Sequence, residues 1–375
     1  MLARLSEYCN YQRSIMDAAD PGEPASAAPI FPAGIVQDMA FDDFDAMAAA
    51  PRAWDQHYLK LTRGPFLGTV HGVHTSALQI GTVSWSSGIL VTGSVPRGAT
   101  TFALVGGPGG LARSQGTPVQ AGQIVAASDR DELNFMQPQG CEIICLSLAH
   151  ELLDQASATL LGEPWRDVVP RTPVLTVRDA TGLAARIRRL EAVARSQAPG
   201  RLADPAFGRR LEEEAAEMVA AQVASVQPRR VPSAQRWRLA RRAEDYLRAN
   251  ESRRVGIAEL CAAVGAPERT LHHAFRDYFG LPPIAYLRVR RLHLARGQLR
   301  ERGRETTVTT TATDWGFDHL GEFATAYRHL FGETPSQTLR RQSFQLRRGD
   351  ARNHAMSAQR KLRTIVWPAQ RQVLE

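Results

Sequence analysis

Glu268-Arg269-Thr270-Leu271-His272-His273-Ala274-Phe275-Arg276-Asp277-Tyr278-Phe279-Gly280-Leu281-Pro282-Pro283 is the stretch on which the reading of this chain turns. Leu271, Phe275 and Phe279 recur at i, i+4 and i+8, the spacing of one helix face. Gly280 supplies a helix stop, and Pro283 follows three residues later. The same design returns 52 residues on, with Phe323, Tyr327 and Phe331, then Gly332 and Pro335. One such stripe means only an amphipathic helix. Stripe, stop and proline repeated at one fixed offset indicate a duplicated unit.

Each stripe follows a shorter helical segment and a glycine turn. Ile257–Val264, then Gly265-Ala266-Pro267, precede the helix Glu268–Phe279. Thr307–Trp315, then Gly316-Phe317-Asp318, precede His319–Phe331. Two helices joined by a tight glycine-containing turn form a helix-turn-helix, whose second helix can enter the major groove of DNA. Between the units, Ile284–Arg302 reads as one long connecting helix. Tyr286, Val289, Leu292 and Leu299 point inward on it, and Arg288, Arg290, Arg291 and Arg296 line its other faces.

Charge supports a polyanionic partner for this half. The chain has 375 residues and a net charge of +8. Residues 1–230 carry 20 basic and 24 acidic residues, whereas 231–375 carry 26 and 14. Such asymmetry points to nucleic acid. Forty-four of the 46 cations are Arg. High genomic G+C explains that ratio, as does bidentate contact with phosphate and guanine; neither possibility removes the asymmetry.

The segment from Arg236 to Arg341 resembles the DNA-binding domain of the AraC/XylS family of bacterial transcription regulators. The resemblance rests on Ala243-Glu244-Asp245-Tyr246-Leu247, Glu268-Arg269-Thr270-Leu271 with Phe275, Phe279-Gly280-Leu281-Pro282-Pro283, Tyr286-Leu287-Arg288 and Arg291-Leu292. It continues through Trp315-Gly316-Phe317, Phe323, Tyr327-Arg328 and Phe331-Gly332-Glu333-Thr334-Pro335-Ser336. It implies two helix-turn-helix units flanking a linking helix, with recognition helices in successive major grooves. It places DNA contacts at Arg269, Thr270, His272, His273 and Arg276 in the first helix. In the second it places them at His319, Leu320, Gly321, Thr325 and Arg328. Arg269 suits guanine, Leu320 a thymine methyl, and His319 and Arg328 suit phosphates. The implied partners are double-stranded promoter DNA, RNA polymerase and an unidentified small-molecule effector. Two departures stand out. Pro267 replaces the usual hydroxyl cap of the first recognition helix. Thr311 and Thr313 stand where the family places aliphatics, which predicts a weaker second unit.

Upstream the texture changes. Residues 1–45 look poorly ordered, with the breaker-rich run Pro21–Pro29, and Met39 and Met47 offer later starts. From Trp54 to Leu148 short β-branched and aromatic runs alternate with turns. They are Phe66–Val73, Ala77–Val83, Gly88–Val91, Thr101–Val105, Gly122–Ala126 and Cys141–Leu148. Helical texture follows: Ala149–Leu161, a helix capped by Asp179 with Leu183, Ile187 and Leu190 on one face, and one opened by Asp204-Pro205. Leu211, Ala215, Met218, Val219 and Gln222 on the last form a stripe, either packed on the β unit or serving as a homodimer seam.

The expected fold is thus α+β in two domains. A β-barrel or sandwich sensor with flanking helices spans 46–226, a linker 227–234, an all-helical double helix-turn-helix domain 235–341 and a basic tail 342–375. Phe66, Trp85, Phe102, Phe135 and Met136 are candidates to line an effector cavity, or are plain core. Around Trp54, Tyr58 and Gly64–Gly68 the sensor weakly resembles that of ethanolamine-operon regulators.

Competing readings are a nucleoid-type protein binding DNA without sequence choice, and a cupin-type metal enzyme fused to a DNA-binding domain. The latter needs convergent ligands. His71 and His74, three apart in a strand, point to opposite faces. No nucleophile elbow or dinucleotide fingerprint occurs, and Gly106–Gly110 reads as a turn rather than a phosphate loop. No catalytic residue, metal or cofactor is expected. Four scattered cysteines, no signal-like start and no apolar run of about 18 residues make the cytoplasm the expected setting.

Overall fold

A computed structural model describes residues 29–51, 53–106, 112–168, 172–197, 200–223, 234–301 and 306–341. Two antiparallel sheets build the N-terminal half. The strands are β1 (Ile35–Phe41), β2 (Asp55–Lys60), β3 (Gly68–His74), β4 (Leu78–Trp85), β5 (Ile89–Ser94) and β6 (Ala99–Gly106). They continue with β7 (Arg113–Ser114), β8 (Thr117–Pro118), β9 (Gln123–Ser128), β10 (Leu133–Gln137), β11 (Cys141–Ala149) and β12 (Val174–Thr176). The larger sheet runs β1-β3-β4-β11-β6-β9-β12, and the smaller β2-β5-β10-β7-β8. The sheets do not close into one barrel, so of the two expected forms the sandwich is the one found.

The short helix α1 (Phe44–Ala48) follows β1. Helices α2 (His150–Leu161), α3 (Trp165–Val168), α4 (Ala180–Arg195) and α5 (Pro205–Val223) cover the outer face of the large sheet. Asp179 caps α4 by accepting from Gly182 N at 2.8 Å, and Leu183, Ile187 and Leu190 lie buried on its inner face. The α5 stripe Leu211, Ala215, Met218, Val219 and Gln222 is buried against this chain's own core, so its packing reading holds and it offers no dimer seam. Phe102 belongs to this outer core, edge-on to Trp165 at 5.3 Å.

The expectation of poor order up to residue 45 is corrected for residues 29–45. Ile35–Phe41 pairs along its whole length with Gly68–His74, and Phe44 and Met47 are core residues. The breaker-rich run at 21–29 drew the boundary too far downstream. Residues 1–28, positions 227–233 of the expected linker, the glycine-rich run 107–110 and the tail 342–375 lie outside the described residues, while Ala234, expected in the linker, is helical.

The C-terminal half is helical: α6 (Ala234–Ala249), α7 (Ile257–Val264), α8 (Glu268–Phe279), α9 (Pro283–Glu301), α10 (Val308–Asp314) and α11 (Leu320–Phe331). Both aromatic ridges face inward. Leu271, Phe275 and Phe279 are fully buried with Tyr286, as are Phe323 and Tyr327, with Phe331 nearly so. Gly265, Gly280, Gly316 and Gly332 all adopt positive φ, as the two turns and two stops require.

Candidate nucleic-acid interface and sensor cavity

The two helix pairs differ at their caps. Pro267 begins α8 without any side-chain cap bond. Thr307 and Thr310 form a reciprocal capping box on α10. Deeper in α10, Thr311 is fully buried and its hydroxyl has no hydrogen-bond partner. Thr313 returns its hydroxyl to Thr309 O at 3.1 Å.

With the ridges buried, the opposite faces of α8 and α11 carry the residues available to a ligand. Arg269, Thr270, His273 and Arg276 are exposed and His272 is half-buried, 3.8 Å from the Glu268 carboxylate. On α11, His319, Leu320, Gly321, Thr325 and Arg328 are exposed. Leu320 is an apolar side chain left 44% exposed at a helix N-terminus, and a Cβ on Gly321 would meet open space. The outward face of α8 is thus rich in donors and cationic groups, whereas α11 offers Leu320, Gly321 and Thr325 toward its N-terminus and Arg328 and His329 in its last turn.

The linking helix departs from its expected faces. Arg288 is exposed, but Arg291 and Arg296 are buried. Arg291 donates through Nε to Glu251 O at 2.6 Å and through Nη2 to Arg253 O, which fixes the loop after α6. Arg290 pairs with Glu251. Arg254 reaches Asp318 at 2.7 Å and ties the two units together.

Arg296 reaches across to the N-terminal half. Its guanidinium bonds Asp43 at 2.7 Å and Asp45, stands 3.7 Å from Glu333, and lies 4.5 Å over the Phe44 ring and 5.3 Å over Phe331. Arg300 bonds both aspartates as well. Burial pushes the Asp43 carboxyl up, but Arg296, the Ala46 N–H and Arg300 outweigh it and hold that carboxyl below its usual range. At Asp45 burial, aided by the Asp43 charge, prevails and the carboxyl sits above its usual range.

Beside this clasp, Lys60 is fully buried. Its ammonium donates to Thr62 O at 2.5 Å, Gly64 O at 2.7 Å and Leu330 O at 2.6 Å, the last a carbonyl at the C-terminal end of α11. Burial, with the nearby Arg296 charge, brings its pKa down to about 8. His293 lies edge-on to Phe44 and Phe331, with Nε2 3.2 Å from Lys60 O, and burial pushes its pKa down to about 3.

The first unit is also held by the sandwich. Gln115 and Gly116, at φ 46° and 73°, form the tight β7–β8 turn. A Cβ on Gly116 would stand 2.6 Å from the Tyr278 ring. Arg113 pairs with Asp277, and Glu132 with Arg241 at 2.8 Å.

A cavity of about 90 Å³ lies between the two sheets. Trp85 and Phe135 line it. Of the other three expected lining residues, Phe102 faces the outer helices, Phe66 packs on Phe44 and Met136 turns toward the helical domain. Trp54, Gln56, Tyr58, Gln137 and Cys145 are among the further lining residues that were not anticipated. Cross-strand register explains the split. Tyr58, Val91 and Phe135 are paired neighbours facing the cavity, and the next row, Leu59, Leu90 and Met136, packs on the first helix-turn-helix unit. Side chains alternate faces along a strand, so one sheet wall carries the cavity on one side and the helical half on the other.

Among the described residues, no group of three or more His, Cys, Asp or Glu is placed to hold a metal, and no helix is long and apolar enough to cross a membrane. His71 pairs with Asp38 at 2.9 Å, while His74 is buried beside Gln79.

Duplicated helix pairs with buried ridges and exposed second-helix faces define a DNA-reading domain. Residues 260–341 match the family described as "Helix-turn-helix domain". Among curated proteins, the chain is 36% identical over 103 residues to the probable thc operon regulatory protein of Rhodococcus erythropolis, covering 27% of this chain and 31% of the relative. It is 36% identical over 101 residues to the XylDLEGF operon transcriptional activator 1 of Pseudomonas putida, covering 27% and 30%. A solved probable AraC family transcriptional regulator from Rhodopseudomonas palustris is 40% identical over 28% of this chain and 97% of its own, with a TM-score of 0.26. The AraC-like transcriptional activator CuxR is 18% identical, covering 69% and 95%, with a TM-score of 0.36. The C-terminal region belongs to the AraC/XylS-type double helix-turn-helix domains. The chain spans about a third of the length of these two curated relatives.

Proposed function

We propose that this chain is a transcription regulator that reads DNA with α8 and α11 and responds to a small molecule bound between its sheets. The observation that carries the first part is the pair of helices with buried aromatic ridges and exposed Arg269, His272, His273 and Arg276 on one, Leu320, Thr325 and Arg328 on the other. Arg269 reads a guanine through O6 and N7, and Leu320 meets a thymine methyl. Thr270, Arg276, His319 and Arg328 take phosphates and set the register. The second part is supported by the cavity and by the sheet that it shares with the helical half. A ligand that displaces Tyr58, Val91 or Phe135 acts one residue away from Leu59, Leu90 and Met136.

Selection of bound fragments from a genomic library, followed by competition with bulk DNA at fixed salt, tests the reading. A common selected motif that survives competition supports it; equal affinity for all duplexes refutes it in favour of a nucleoid-type binder. Arg269→Ala relaxes preference at one base pair, worth about 1–3 kcal/mol of discrimination. Arg328→Ala weakens binding to all sequences and lowers the salt slope by about one.

A further inference from the structure

Resting on the effector reading above, the chemistry of the cavity wall narrows what can occupy it. Its described lining residues include no Asp, Glu, Lys, Arg or His. Most are aliphatic or aromatic, and the polar members are mainly amides. Several of those are already engaged. Trp54 Nε1 donates to Gln79 Oε1 at 2.8 Å, Gln79 Nε2 meets His74, and Gln56 Nε2 donates to Ala48 O at 3.2 Å. Two are not. Trp85 Nε1 and Gln137 Oε1 are buried without a hydrogen-bond partner, on side chains 5% and 2% exposed. A buried donor and a buried acceptor left unmet are costly, and a bound molecule that meets both removes that cost. The ionisable groups in the wall carry no charge near neutrality. Burial pushes the Cys145 thiol up to about 12 and raises the Tyr58 phenol above its usual value. His74, just behind Gln79, is held neutral by burial, its pKa down to about 4.

A carboxylate or ammonium entering this space gives up water and meets no opposite charge, which is strongly unfavourable. Size is bounded too. A cavity of about 90 Å³ limits the occupant to a small molecule.

We propose that the cavity binds a small, uncharged, largely apolar molecule, whose acceptor takes the Trp85 N–H and whose donor reaches the Gln137 amide oxygen, and that it rejects ions of the same shape.

Benzamide, benzoate and benzamidine share one outline and differ in charge. Titration of each into the full-length protein, read by calorimetry and by the shift in melting temperature, separates the cases. Benzamide is expected to bind saturably, with benzoate and benzamidinium at least ten-fold weaker. Gln137→Leu, which removes the amide oxygen and leaves an apolar side chain, should weaken benzamide five-fold or more. Val83→Phe, which fills the cavity, should abolish binding, and melting curves of both variants show that they fold. Benzoate or benzamidinium binding as tightly as benzamide overturns the proposal. So does saturable binding that survives both substitutions, or the absence of saturable benzamide binding. DNA selection on the same preparation keeps the readings apart. If a motif is selected and the charge preference fails, only this inference falls; if no motif is selected, the regulator reading fails whatever benzamide does.

Discussion

Replacing Arg296 with Met tests the clasp between the two halves. Met retains much of the aliphatic volume and removes the bonds to Asp43 and Asp45 and the contacts over Phe44 and Phe331. Breaking a buried pair by deleting one partner costs about 3–5 kcal/mol when the remaining charge is stranded. Here Arg300 still bonds both aspartates and Asp45 is half exposed, so the loss falls to about 2–3 kcal/mol, of which the ring contacts supply roughly one. Urea denaturation followed by tryptophan fluorescence measures it. The triple variant with Asp43→Asn and Asp45→Asn completes a cycle, and a coupling of about 1–3 kcal/mol is expected because the groups touch. Coupling under about 0.5 kcal/mol would show that Arg296 does not depend on the aspartates and would refute the clasp.

Thr311→Val removes a fully buried, unpartnered hydroxyl and should stabilise the second unit by about 1 kcal/mol; a lower urea midpoint would contradict this. Acidification should loosen the contact around His293. The imidazole stays neutral in the fold down to about pH 3, whereas the free chain takes up its proton near 6.5, so stability falls as pH drops below 6.5. The loss is about 2 kcal/mol between pH 7 and 5, and His293→Asn should flatten the slope of urea midpoint against pH. Gly116→Ala adds strain at a positive φ and a clash with Tyr278. It should cost about 1–3 kcal/mol and speed hydrogen exchange in α8; unchanged exchange there would show that the turn does not brace the first unit.

The helical half was legible because its signals are local. Ile257–Val264 and Glu268–Phe279 match the expected bounds, and the second unit differs in that Thr307, Trp315 and His319 serve as caps. The glycines mark left-handed positions that any chain would need there. Six strands were readable from β-branched runs. Those missed have physical reasons. Asp55-Gln56-His57-Tyr58-Leu59-Lys60 looks polar because Asp55 and His57 face solvent and its last residue is a buried ion. Leu133–Gln137 divides its side chains between the cavity and the helical domain, and so lacks the polar face expected of an exposed sheet. Arg291 and Arg296 were placed on outer faces because helical periodicity cannot reveal distant partners: the Glu251 and Arg253 carbonyls some 40 residues from Arg291, and Asp43 and Asp45 some 250 residues from Arg296. The cavity depends on long-range register, so Trp85 and Phe135 were found by their bulk, whereas nothing local marked Tyr58 or Gln137 as cavity residues.

The shared wall formed by β2, β5 and β10 ties chemical preference to mechanical fit. A single ply of polypeptide separates whatever occupies the interior from the half that grips DNA. Enlarging the chamber at Val91 to admit a bulkier guest also shifts Leu90 beneath the first reading head. Laboratory evolution of this chamber toward a new ligand should therefore gather compensating changes at Leu59, Leu90 and Met136, outside the chamber altogether.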